Sequence, residues 1–249
     1  MKIIAVYSIK GGVGKTTSAV NLAYLAASEG RRTLVWDLDP QGAASFYFRV
    51  KPKVKGGGKA LLRGKRGPDE SIKGTDFELL DLLPADFSYR NLDILLDGKH
   101  GATHRLKRLL QPMGREYDLL FLDCPPSISL MSENIFRAAD ALLVPVIPST
   151  LSARTLTQLT DFLTESGGHA GLRLLPFCSM VDRSRALHAD TIVRLGESCP
   201  SLLGAVIPLA PEVERMGLHR MPLPAYAPSS AVSAAYRELW RELKAALES

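Results

Sequence analysis

Residues 10–17 read Lys-Gly-Gly-Val-Gly-Lys-Thr-Thr. Gly11, Gly12 and Gly14, with Val13 among them, free the backbone to curl so that successive N–H groups point inward. Lys15, Thr16 and Thr17 follow at once. That combination suits a polyphosphate: the N–H groups and the Lys15 ammonium meet the anion, and the Thr16 hydroxyl is placed to hold Mg²⁺. An apolar run at 3–7 precedes the octapeptide and an amphipathic stretch at 18–29 follows it. A helix beginning there adds the positive end of its dipole behind the phosphates. Two further segments carry carboxylates at the close of an apolar run. Asp37 and Asp39 close Trp-Asp-Leu-Asp-Pro-Gln at 36–41, and Asp123 closes Leu-Leu-Phe-Leu-Asp at 119–123. Alternation along an extended chain puts Asp37 and Asp39 on one side, so both are expected to face the loop. Carboxylates so placed orient water or hold a hydrated cation.

These groups need a scaffold that brings distant segments together. Apolar runs of strand length recur at 3–8, 33–38, 119–123, 141–147 and 172–179, with helical patterns at 130–138 and 151–165 between several of them. The alternation predicts an α/β fold, a mostly parallel twisted sheet with helices on both faces. In such sheets ligands sit at the carboxyl ends of the strands, where the octapeptide and all three aspartates fall. Gly30 is placed to end the first helix. A last helix over 233–247 carries Tyr236, Leu239, Trp240, Leu243 and Leu247 on one stripe, which is read as packing against the body of the domain. All 249 residues are expected to form a single nucleotide-binding domain.

The usual phosphate-loop pattern would place its first glycine at Ile9, and the chain instead has a lysine at Lys10, five residues before Lys15. With that second lysine the chain resembles the ParA/MinD family of deviant phosphate-loop ATPases. The resemblance extends through Asp-Leu-Asp-Pro-Gln at 37–41, Asp-Cys-Pro-Pro-Ser at 123–127, Leu-Pro-Ala at 83–85, Ser-Met-Val-Asp-Arg at 179–183 and Val-Ile-Pro at 206–208, nearly the whole chain. It implies ATP and Mg²⁺ as cofactors and hydrolysis of ATP. Lys10, Lys15 and Asp39 would be catalytic, Lys10 acting across an ATP-sandwich homodimer and Asp39 positioning the attacking water. Thr16 and Asp123 would hold the metal, and Pro208 would lie near the adenine. It also implies non-specific DNA as a partner in the ATP state, an activating ParB-like or cargo-adaptor protein, and the positioning of a plasmid, a chromosome or a protein assembly. Arg183 and Arg185 lie where relatives carry basic residues, for nucleotide, dimer or DNA contact or simply as surface.

Composition narrows the remaining classes. A net charge of +5 suits an anionic partner, nucleic acid or membrane surface. Cys124, Cys178 and Cys199 are far apart and form no Cys-x-x-Cys pair, so neither a disulfide framework nor a zinc site is suggested and a reducing cytoplasm fits best. Cys124 reads as a small buried residue rather than a nucleophile. No run of 18 apolar residues occurs, and the last helix mixes Arg237, Glu238, Arg241, Glu242 and Lys244, which disfavours a membrane partner. Between 49 and 68 there is no acidic residue but eight basic ones around three glycines. This stretch is expected to be a mobile positive loop, either solvated or touching nucleic-acid phosphates or an acidic partner. Two rival functions stay open: a MinD-like membrane-associated positioning ATPase, and an ATP-dependent small-molecule enzyme on the same loop. A redox carrier related to nitrogenase reductase would need paired cysteines that the spacing does not suggest.

Overall fold

The computed structural model describes residues 1–64, 67–96, 104–165 and 171–248. Eight strands among them form one sheet: β1 (Lys2–Val6), β2 (Thr33–Asp37), β3 (Lys73–Gly74), β4 (Leu80–Leu83), β5 (Leu119–Asp123), β6 (Ala141–Val146), β7 (Arg173–Val181) and β8 (Val206–Pro208). Their order is β3-β4-β2-β5-β1-β6-β7-β8. Only the β3–β4 pair is antiparallel. The central strands are covered on both faces, which is why they read as continuous apolar runs.

Alternation divides the core in two. Ile3 and Ala5 of β1, Leu34 and Trp36 of β2, and Leu120 and Leu122 of β5 face one layer, which includes Ile135 and Phe136 of the helix Leu130–Ala138. Ile4 and Val6, Val35, Leu119 and Phe121 face the other. By the same period of two, Asp37 and Asp123 fall on the second side, that of α1 (Lys15–Ser28). α1 lies between the sheet and the helix Ala231–Glu248, so Ala19, Val20, Leu22, Ala23 and Ala26 are all fully buried. Burial on several sides accounts for the absence of any charge along α1 after Lys15. The expected stripe Tyr236, Leu239, Trp240, Leu243 and Leu247 is wholly buried against this layer. Each such side chain contributes on the order of 1.5–3 kcal/mol. Gly30, at φ 85°, follows the end of α1 as expected.

Three short strands, β3, β4 and β8, escaped the periodicity, and β7 runs two residues beyond its apolar core. The segment at 49–68 also departs from expectation. It is not a loop clear of the body: Gly57–Leu62 form a short helix, and Val54, Leu61 and Leu62 are buried in the core. Apolar side chains at only a few of these positions anchor it, and the lysines around them hid that pattern. Of its eight basic residues, Lys65 and Arg66 lie outside the described residues. No helix among the described residues is long and apolar enough to cross a membrane.

Candidate nucleotide site

The chain leaves β1 and turns through Gly12 and Gly14, at φ 71° and 94°, into α1. Ser18 N–H donates to the Gly14 carbonyl at 3.0 Å and so opens the helix. Gly14 is doubly constrained, because a Cβ there would also lie 3.0 Å from Ser179 Oγ at the end of β7. Lys15 is buried and its ammonium donates to the Lys10 carbonyl at 3.2 Å. Burial lowers its pKa, and the nearby Asp123 and Asp39 carboxylates oppose that shift.

Parallel register sets Asp37 beside Asp123 at the carboxyl ends of β2 and β5. Both are fully buried. Asp37 Oδ2 accepts from the Ser45 N–H at 2.7 Å and from the Ser45 hydroxyl at 2.8 Å, while Asp37 Oδ1 and the carboxylate oxygens of Asp123 are buried with no well-aligned donor among the described residues, the Thr16 hydroxyl alone standing close to Asp123. Burial pushes the Asp37 carboxyl up to about 6 against the Ser45 hydrogen bonds; the Asp39 charge adds to the rise, while the Asp39 backbone N–H opposes it. Burial and the Asp37 charge push Asp123 well above the usual carboxylate range, and neighbouring Thr16 and Lys15 offset part of this. Buried carboxylate oxygens with no good donor but a nearby threonine hydroxyl fit a hydrated divalent cation. Among the described residues no three His, Cys, Asp or Glu side chains could hold an ion by themselves. A cation here would therefore need phosphate oxygens and water besides Thr16 and Asp123.

The expectation that Asp37 and Asp39 both face the loop is corrected. Asp37, the last residue of β2, lies beneath the site against Ser45 and Asp123. Asp39 lies two residues beyond the strand, in a turn closed by Gly42 N–H on the Asp39 carbonyl at 2.9 Å. Its side chain lines a cavity of about 380 Å³, and among the described residues no other acidic one does so. Gly11, Gly12, Gly14, Lys15, Thr16 and Thr17 form one end of this cavity, and Met180, Ile207, Pro208 and Val213 an apolar end. Lys10 and Val13 do not line it. They line a separate crevice, where the Lys10 ammonium stands 3.5 Å from Ser152 Oγ on the helix Thr150–Glu165.

Several lining residues were not anticipated. Met180 has φ 53° at an irregularity in the β7–β8 register, which turns it into the cavity. Tyr47, at the end of the short helix Ala43–Tyr47, lines the wall near Asp39, and burial with the Asp123 charge raises its pKa. No spacing in the sequence marks either residue. Ser45, by contrast, sits a fixed eight residues after Asp37, and a small polar residue soon after a buried strand-end acid is a signal that could have been used. Cys124 is buried, with its thiol pushed well up by burial and Asp123, as expected of a packing residue.

A family model described as an AAA domain matches residues 1–169. The chain is 34% identical over 195 residues to the chromosome partitioning protein ParA of Myxococcus xanthus, covering 77% of this chain and 69% of that protein. It is 31% identical to the sporulation initiation inhibitor protein Soj of Bacillus subtilis over 249 residues, 98% of each chain. Among solved structures it superposes on cobyrinic acid a,c-diamide synthase of Mycobacterium smegmatis, crystallised with bound ADP and magnesium, with TM-score 0.84 and 26% identity over 100% of this chain and 96% of that one. With the two-lysine phosphate loop, the strand-end Asp37 and Asp123 and the turn residue Asp39 in place, the chain belongs to the ParA/MinD family of P-loop ATPases.

Proposed function

We propose that this protein is a cytoplasmic ParA-like ATPase, a single domain that binds Mg²⁺-ATP, closes into an ATP-sandwich dimer and binds DNA without sequence preference in that state. Hydrolysis, stimulated by a ParB-like or adaptor protein, releases it, and the cycle positions a plasmid, chromosome or protein cargo. The observation that carries this reading is the division between the two loop lysines. Lys15 is buried beside its own cavity, while Lys10 is turned out of it toward Ser152. A loop lysine that does not serve its own cavity is free to serve a partner's.

In this reading the loop N–H groups and Lys15 bind the phosphates, and the base lies at the apolar end near Pro208 and Met180. Mg²⁺ bound with the nucleotide would neutralise phosphate charge, held by Thr16 and, through water, by Asp123. Asp39 orients the attacking water and Lys10 of the second copy meets the charge that develops on the transferring group. The test is anisotropy of a labelled random-sequence duplex with Mg²⁺-ATP, with Mg²⁺-ADP and without nucleotide. Binding confined to ATP supports the switch. Hydrolysis without DNA binding in any state would refute it and favour a membrane-bound or small-molecule enzyme, the latter in keeping with the diamide synthase likeness.

A further inference from the structure

The basic segment after the Asp39 turn is built as a rigid surface. Val54 N–H donates to Asp86 Oδ2 at 2.9 Å, Lys55 N–H to Ser71 Oγ at 3.2 Å and Gly58 N–H to Ser88 Oγ at 2.8 Å. Gly58 is pressed so closely that a Cβ would lie 2.8 Å from Leu92 and 2.9 Å from Tyr89. These contacts fix the backbone while leaving the cations outside. Lys51, Lys53, Lys59 and Arg63 are all exposed. Lys55 instead approaches Glu70 at 3.9 Å, and Arg49 pairs with Asp76 at 3.3 Å.

Next to them, on the short stretch that holds Gly58, the Arg90 guanidinium lies 4.1 Å over the exposed Phe87 ring. Cations spread over a fixed backbone, with an aromatic among them, match a regularly spaced phosphate chain. A lipid surface would call for an apolar face to insert, but Leu61 and Leu62 of the Gly57–Leu62 helix are turned inward and buried. The patch also abuts the site: Pro52 packs where a Cβ on Gly42 would lie, 3.3 Å away, at the end of the Asp39 turn.

We propose that Lys51, Lys53, Lys59 and Arg63, with the adjacent Arg90–Phe87 pair, form the docking surface for a nucleic-acid backbone beside the Asp39 turn. This rests on the DNA-binding reading above and assigns it a place on the molecule. The test compares the full-length protein with the double variants K51Q/K53Q and K59Q/R63Q and with the quadruple variant. A control, K2Q/K107Q/R115Q/R194Q, removes four exposed charges elsewhere. Binding to a random-sequence duplex with Mg²⁺-ATP is followed over a salt series. Each lost phosphate contact should lower the slope of log K against log salt by about 0.9, so the quadruple variant should lose up to about 3.6 and each double variant up to about 1.8. The two double variants keep the question answerable if the quadruple one fails to fold. An unchanged slope in the patch variants, or an equal loss in the control, overturns the proposal while leaving DNA binding itself established. Wild-type protein that binds no duplex overturns both readings, and patch-dependent binding to vesicles of anionic lipid instead of DNA would show a lipid partner.

Discussion

Gly14→Ala tests whether the nucleotide loop is shaped by backbone strain and by pressure from β7. At φ 94° an L-residue costs about 1–2 kcal/mol. The added methyl also meets Ser179 Oγ at 3.0 Å, and such overpacking in a fitted site costs about 1–3 kcal/mol, here at the lower end because a hydroxyl can rotate or shift. The expected loss is therefore about 2–3 kcal/mol by urea denaturation of the nucleotide-free protein. Ser179→Ala removes the opposing oxygen but not the strain. In that background Gly14→Ala should cost only about 1–2 kcal/mol, a coupling of roughly 1 kcal/mol in the double-mutant cycle. Binding of a fluorescent ATP analogue, followed in parallel, should fall in both backgrounds, since the loop curvature itself is altered. A loss under about 0.5 kcal/mol would refute the strain argument, and equal losses in the two backgrounds would refute the contact with Ser179.

Stability should fall as pH rises from 3.8 to about 6, because folded Asp37 keeps a proton that the unfolded chain releases. Asp123 shifts in the same direction and adds to the fall, so Asp37→Asn should flatten it, as read by denaturation at a series of pH values without nucleotide. Ser45→Ala removes the hydroxyl that donates to Asp37 and accepts from the Ala85 N–H at 2.9 Å. It should cost about 1–3 kcal/mol by the same method, and a neutral result would count against the Asp37 anchor. Among the described residues the Asp39 side chain accepts one hydrogen bond, from the Gln41 N–H at 2.9 Å. Asp39→Ala should leave stability within about 1 kcal/mol of wild type while slowing ATP turnover and sparing ATP-dependent dimerisation. Wild-type turnover would sink its assigned role. Lys10→Ala should weaken the ATP-dependent dimer in light scattering, and an unaltered dimer would contradict action in trans.

The central sheet was legible because parallel strands buried on both faces demand unbroken apolar runs, and β5 and the helix Leu130–Ala138 fall where the pattern placed them. The phosphate loop was legible for a related reason: Gly12 and Gly14 are required by backbone angles that few other residues adopt. The four-residue β4, with Asp81 in its middle, carries too little pattern to stand out. The depth of Asp37 could not be read either, since strand alternation fixes a side of the sheet but not where the strand ends. The apolar end of the cavity depends on the irregularity at Met180, a backbone event without a residue signature. In the segment at 49–68, lysines outnumber the few apolar anchors, and the net reading was of solvent.

β1 pairs with β5 on one side and β6 on the other, joining Ile4 to Phe121 and to Ala141. During synthesis the phosphate loop therefore leaves the ribosome long before the strands that flank its own strand. A nascent chain halted before Leu119 has no β5, no Asp123 and no floor beneath the loop, so nucleotide has little to hold it. The nucleotide site is thus completed late in synthesis, once the sheet can close around its first strand. Ribosome-bound chains of increasing length should acquire nucleotide-dependent protease resistance only after β6 has emerged.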